Sequence, residues 1–236
     1  MKNIEWAEFS WNPVWGCRNK CPYCYARKIA KRFAESISYN IAKNYPYVSE
    51  AIRKNVWYED LKNFVPTWIE SNFNKPFPKH PARIFVNSMS DIKFWRQDWM
   101  IQVLNEIILY PQHTFLFLTK FPEVYSQYKF PSNCWLGVSC TGRPTEEMVK
   151  WAIQCKNPHF VSIEPLMEDP YLDWLEFMDW VIVGGLTPRP LRRGLLHSSV
   201  WVDDIVAKCR YEKVPIFLKN NLWHIDKIQQ FPEGMK

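Results

Sequence analysis

The run Thr114-Phe-Leu-Phe-Leu118, closed by Thr119 and Lys120, is followed by Trp135-Leu-Gly-Val138 with Ser139, and then by Phe160-Val-Ser-Ile163 with Glu164. Each run is too short for a helix, is rich in β-branched or aromatic residues and stops at polar residues, as a strand buried on both faces does. Between the last two, Met148, Ala152 and Cys155 recur at helical spacing. The same grammar extends outward. Arg83–Val86, Trp180–Val183 and Pro215–Leu218 read as further strands. A helical stripe of Trp99, Met100, Val103, Leu104, Ile107 and Ile108 ends before Pro111; Val202, Ile205, Val206 and Cys209 form another, and a helix is expected over about Tyr25–Ile37. Ser10–Gly16 is expected to supply the first strand. The resulting βα repeat predicts an α/β fold, a full or partial (β/α) barrel with six to seven mostly parallel strands.

The chain has 236 residues, 47% of them hydrophobic and 23% charged, which suits a packed core and excludes a largely disordered protein. One domain over 1–236 is expected, with an irregular insertion or lid at about 44–81 that carries Trp57, Tyr58, Trp68, Phe73, Phe77 and five prolines. No uncharged apolar run approaches the roughly 18 residues that cross a bilayer, and the opening MKNIEWAEFS lacks the order of a secretory signal, so a cytoplasmic protein without membrane contact is expected. The net charge of +6, the 13 Trp, and the basic clusters Arg27, Lys28, Lys31, Arg32 and Arg189, Arg192, Arg193 are compatible with an anionic partner. Solvated surface is the plainer reading of such clusters. Rossmann and Walker glycine motifs are absent.

Three of the seven cysteines fall within eight residues, Cys17-Arg-Asn-Lys-Cys21-Pro-Tyr-Cys24, while Cys134, Cys140, Cys155 and Cys209 are scattered and read as small apolar side chains. An odd count without an export signal argues against a disulfide scaffold. Three chemistries compete for the triplet. Cys21 and Cys24 alone form a C-x-x-C dithiol of the glutaredoxin type, a thiol-disulfide oxidoreductase reading that leaves Cys17 unexplained. A zinc site, with or without a nucleic-acid-binding role, needs a fourth ligand such as His113 or His197. A [4Fe–4S] cluster held by three thiolates keeps one iron open, which is incomplete for an electron carrier and useful for binding a ligand.

The strand ends supply candidate partners for such a site: Asn87, Ser88, Ser90 and Asp91; Thr119 and Lys120; Ser139; Glu164; Gly184 and Gly185; Lys219 and Asn220. In a parallel barrel these positions converge on one face. About half can be explained as turn formers and caps. Glu164 and Lys219 are harder to explain that way, because a charge directly after a buried strand needs a partner or ligand.

The C-x3-C-x2-C spacing with Tyr23 before the last cysteine resembles the signature of the radical S-adenosylmethionine (SAM) superfamily. That resemblance implies a radical SAM type of barrel in which Cys17, Cys21 and Cys24 ligate a [4Fe–4S] cluster. It further implies that Tyr23 packs near the adenine, and that SAM is cleaved reductively to a 5′-deoxyadenosyl radical with an electron from a partner such as flavodoxin or ferredoxin. By position, Asn87, Ser88, Ser90 and Asp91 would serve the SAM amino group. Ser139 and Glu164 would lie near its ribose or carboxylate, with Thr119 and Gly184 beside them, and Lys120 and Lys219 would pair with its carboxylate or a substrate anion.

A second resemblance covers most of the chain. Trp11-Asn12-Pro13 with Gly16-Cys17, Asn87 to Asp91, Leu118 to Pro122, Trp135 to Ser139, Glu164-Pro165-Leu166 and Trp180 to Gly185 are similar to the phage-associated Gp37/Gp68 proteins, a DUF5131-type family. The chain departs from that pattern at Leu186, where relatives carry an acidic residue, and at Asn220, where they carry glutamine. The resemblance names no substrate. Nucleic acid or a nucleotide is one expectation, a peptide or small metabolite another.

Overall fold

The computed structural model describes residues 4–43, 57–186, 198–222 and 227–235. The cluster Arg189, Arg192, Arg193, together with His197 and positions 44–56, lies outside the described residues. The chain is mixed α/β, its strands mostly parallel, and it divides into two compact units, Met1–His113 and Thr114–Lys236. Among the described residues no helix is long and apolar enough to cross a membrane.

In the first unit, β1 (Phe9–Ser10) pairs parallel with β4 (Arg83–Phe85), Phe9 opposite Ile84. The expected strand Ser10–Gly16 is divided instead. Pro13 has no N–H to offer a ladder, and beyond it β2 (Val14–Trp15) pairs antiparallel with β3 (Thr67–Trp68), while the Pro13 carbonyl accepts the N–H of Ile69 at 2.7 Å. Helix α1 (Tyr25–Lys43) runs past the expected end at Ile37, because Ile41 and Ala42 continue its buried face. Ala26, Ala30 and Ala34 are the narrow part of that face, and they pack with Trp15, Leu61, Phe64 and Ile69. The 44–81 stretch is less irregular than its prolines imply: residues 57–62 are helical (α2), and β3 and the short α3 (Glu70–Phe73) follow. Helix α4 (Gln97–Ile108) buries Met100, Val103, Leu104 and Ile107.

The second unit is built on five parallel strands in chain order, β5 (Thr114–Thr119), β6 (Cys134–Cys140), β7 (His159–Ile163), β8 (Trp180–Val183) and β9 (Ile216–Leu218). Leu136 lies opposite both Phe117 and His159, and Val183 opposite both Ile163 and Leu218. All of β7, β8 and β9 is buried, as the continuous apolar runs require. Helix α5 (Glu146–Gln154) is capped by Thr145, whose hydroxyl accepts the N–H of Met148, and α6 (Ser199–Glu212) ends on Lys213 in the left-handed region at φ 58°. The βα alternation is incomplete. Between β5 and β6, and again between β7 and β8, the chain makes 3-10 turns, Pro122–Gln127 and Asp173–Phe177. The edge strand β9 is covered by the C-terminal segment: Gln229 bridges Phe217 in antiparallel sense, and Phe231 packs on Trp180 and Phe217.

Candidate functional site

The cysteine loop joins β2 to α1 and is held from two sides of its own unit. Gly16 N–H donates to the Met89 carbonyl at 3.0 Å and Cys17 N–H to the Phe64 carbonyl at 2.9 Å. Gly16 sits at φ 111°, and a side chain there would collide with the Val65 carbonyl, so only glycine fits directly before the first cysteine. Phe64 occupies the left-handed region at φ 61°, unusual for a bulky residue, and its buried ring lies under the Arg27 guanidinium. That strained backbone presents the carbonyl that anchors Cys17.

All three thiols are half-buried and free. The Cys17 sulfur accepts the N–H of Asn19 at 3.3 Å; the Cys24 sulfur, just before α1, accepts the N–H of Arg27 in the first helical turn at 3.4 Å. Burial pushes the Cys17 thiol up to about 12, helped by the charges of Asp91, Cys21 and Cys24 and opposed by the Asn19 N–H. Cys17 is therefore a thiol rather than a nucleophilic thiolate, and a bound metal would supply the positive charge that its surroundings lack. In donor chemistry alone, three thiols with N–H groups aimed at two sulfurs are the kind of ligand set a thiolate-held cluster uses. Among the described residues, Cys17, Cys21 and Cys24 included, no three His, Cys, Asp or Glu side chains are grouped so as to hold a metal ion. His113, named as a fourth zinc ligand, is buried and accepts the Ala82 N–H through Nδ1 at 3.2 Å. Tyr23 is half-buried within the loop.

The turn after β4 lies against this loop. Gly16 forms a parallel bridge with Ser90, and the Tyr25 hydroxyl donates to the Ser88 carbonyl at 2.9 Å. Asn12 accepts from both the Ser88 hydroxyl and the Met89 N–H through one oxygen, each at 3.1 Å. Asn87 Nδ2 reaches the Ser90 carbonyl at 3.5 Å, the Ser90 hydroxyl accepts the Trp95 indole N–H at 3.0 Å, and Asp91 caps the 3-10 turn Ile92–Phe94 by accepting the Lys93 N–H. Ser88, Ser90 and Asp91 are thus brought to the cysteine loop, Asn87 stays within its own turn on the Ser90 carbonyl, and each of the four has a structural bond. Asn12 and Tyr25 were missed as site residues; their signals were an Asn-Pro step before the loop and a tyrosine directly after it.

In the second unit the strand ends form their own polar group. The Lys219 ammonium pairs with Glu164, both largely buried. Lys120 Nζ donates to the Ser139 hydroxyl at 3.2 Å and to its carbonyl at 3.4 Å, and the Ser139 hydroxyl reaches the Glu164 carbonyl at 3.5 Å. A side chain at Gly184 would sit 2.8 Å from the Glu164 carboxyl carbon, so the glycine makes room for that carboxylate. Thr119 is committed to a turn, its hydroxyl accepting the Phe121 N–H at 3.1 Å. Asn221, absent from the candidates drawn from sequence, both accepts the Gly185 N–H and donates to its carbonyl. The group carries two ammonium charges and one carboxylate, an arrangement suited to an anion. The other cysteines are structural: burial pushes Cys140 up to about 11, Cys209 up to about 12 and Cys134 upward, while the Cys155 thiol donates to the Asn157 carbonyl.

A family model described as a protein of unknown function (DUF5131) matches residues 1–233. No curated protein and no solved structure matches the chain.

Proposed function

The chain belongs to the DUF5131 family, and we propose that it is a radical SAM enzyme with a barrel of that type, whose cluster is held by Cys17, Cys21 and Cys24. One observation carries this reading: three half-buried free thiols share a single loop, Cys17 and Cys24 each receiving a backbone N–H at sulfur. When bound, a [4Fe–4S] cluster and SAM supply one-electron cleavage of the sulfonium C5′–S bond, giving methionine and a 5′-deoxyadenosyl radical that takes a substrate hydrogen.

The protein's own residues position and shield. Phe64 and Gly16 fix where the first ligand starts, and the N–H groups of Asn19 and Arg27 offset charge on two sulfurs. Asp91, close enough to Cys17 to raise its pKa, is the candidate carboxylate for a ligand ammonium, in addition to its cap on Lys93. Lys120 and Lys219 are candidates for a ligand anion. Packing of Trp15, Ala26, Phe64 and Met89 beside Cys17 and Cys24 excludes water from one side of the loop.

The test is anaerobic reconstitution with iron and sulfide, then dithionite and SAM. The expected result is a brown protein with about four iron and four sulfide per chain, absorbing near ~400 nm, that releases 5′-deoxyadenosine. Cys17→Ala, Cys21→Ala and Cys24→Ala should each abolish iron retention and product. A thiol-disulfide oxidoreductase working through Cys21 and Cys24 would survive Cys17→Ala, and that survival, with a colourless wild type, would overturn the proposal.

A further inference from the structure

Helix α1 starts at the cysteine loop and carries a basic outer face. Lys28, Lys31, Arg32 and Lys43 are all exposed, and among the described residues none makes an ion pair. The sole carboxylate on the helix is Glu35. Lys28, Arg32, Tyr39 and Lys43 are separated by four, seven and four residues, steps that keep one stripe on an α-helix. At 1.5 Å per residue the stripe is about 22 Å long. Tyr39 on the stripe is 53% exposed with Lys43 4.6 Å over its ring, and Phe33 beside the stripe is 36% exposed with Arg32 at 5.5 Å.

Exposed cations at one- and three-turn spacing attract a linear polyanion, and exposed rings beside them offer base-stacking faces that an acidic protein surface would not use. We propose that the outer face of α1 binds single-stranded nucleic acid, with Lys28, Arg32 and Lys43 on phosphates and Tyr39 stacked on a base. The strand would then lie along the helix that leaves the cysteine loop. The inference goes beyond the cofactor reading and does not rest on it, because binding is measured both before and after reconstitution.

The test is fluorescence anisotropy of a labelled dT20 and a labelled rU20 with the full chain, across a salt series. Binding is expected to weaken steeply with salt. The triple variant Lys28→Glu, Arg32→Glu, Lys43→Glu should bind at least tenfold more weakly and lower the log–log salt slope by about 2, as for three lost single-strand phosphate contacts. Tyr39→Ala should lose roughly five- to a hundredfold at an unchanged slope, as for one lost stacking contact. Lys150→Glu, on α5 of the other unit, should bind as the wild type does. Circular dichroism melts check that the variants fold, and single reversals at Lys28 and Arg32 replace the triple if it does not. Wild-type affinity in the reversal variants would overturn the proposal. So would polyglutamate competing as well as dT20 with no effect of Tyr39→Ala, which would mark a docking face for an acidic protein. Intact oligonucleotide binding without 5′-deoxyadenosine formation would leave this inference standing and count against the cofactor reading alone.

Discussion

Gly184 and Glu164 show how closely one residue's chemistry depends on another's lack of bulk. A methyl group at 184 would lie 2.8 Å from the Glu164 carboxyl carbon, and that carboxylate is the partner of the largely buried Lys219. Gly184→Ala should therefore push the carboxylate off its ammonium and destabilise the protein by about 1–3 kcal/mol, the usual penalty for overpacking. Glu164→Gln keeps the volume and removes the charge; with the pair still partly in contact with water, the expected loss is about 1–2 kcal/mol. If both act through the same pair, the double variant should lose less than the sum, which urea melts of the four proteins would measure. Strict additivity would mean that the glycine serves backbone packing and not the carboxylate. Glu164 and Lys219 were legible as candidates because charges after buried strands are costly alone. Their pairing with each other was not legible, since 55 residues separate them and no local pattern encodes the contact.

Among the elements, β7 has the feature that sequence reading treated least well. Its first residue, His159, is buried, with Nδ1 3.0 Å from the Asn157 carbonyl and 3.2 Å from the Asp179 carboxylate, and Nε2 2.7 Å from the Phe177 carbonyl. Both ring nitrogens thus face acceptors, which a charged imidazolium alone can satisfy. Burial pulls its pKa down, but Asp179, Cys155 and the Asn157 carbonyl outweigh that and raise it to about 10. Burial also opposes charge on Asp179, yet its bonds from the His159 ring and N–H hold its carboxyl below the usual range. For a histidine raised in the folded state, the added stability is complete below the unfolded value of about 6.5 and disappears as pH climbs through the folded value. Wild-type stability should fall by roughly 1–2 kcal/mol between pH 6.5 and 10 relative to His159→Gln, measured by urea denaturation at stepped pH. Parallel curves would show that the ring is neutral. Strand β7 itself was legible to within a residue, and so was β8, because uninterrupted apolar runs admit few other readings. The β2–β3 pairing and the C-terminal cover on β9 were not. Val14–Trp15 and Thr67–Trp68 are two residues each, too short for periodicity, and Gln229 carries no strand signal at all.

For the molecule as a whole, a charge of +6 and an excess of tryptophan do not distinguish a core from a surface; the structure divides them. Trp6, Trp11, Trp174 and Trp180 are fully buried, whereas Lys28, Lys31, Arg32 and Lys43 on α1 are exposed. The cysteine loop depends on β2, α1, the Phe64 turn and the turn after β4, all within Met1–His113, while Lys219 and Glu164 belong to Thr114–Lys236. A ligand held by the cysteines binds the folded state and not an ordered site in the unfolded chain, so loading must stabilise by mass action. At an effective concentration a hundredfold above the dissociation constant, that is about 2.7 kcal/mol, or roughly 5–10 °C in thermal midpoint for a chain of this size. Anaerobic reconstitution of the wild type should give that rise and an iron chelator should reverse it. Cys17→Ala should show no rise, whereas Lys219→Ala, destabilised at its own pair, should start lower and still rise by the same amount. An equal rise in Cys17→Ala would place the iron elsewhere on the chain and remove the loop from the chemistry.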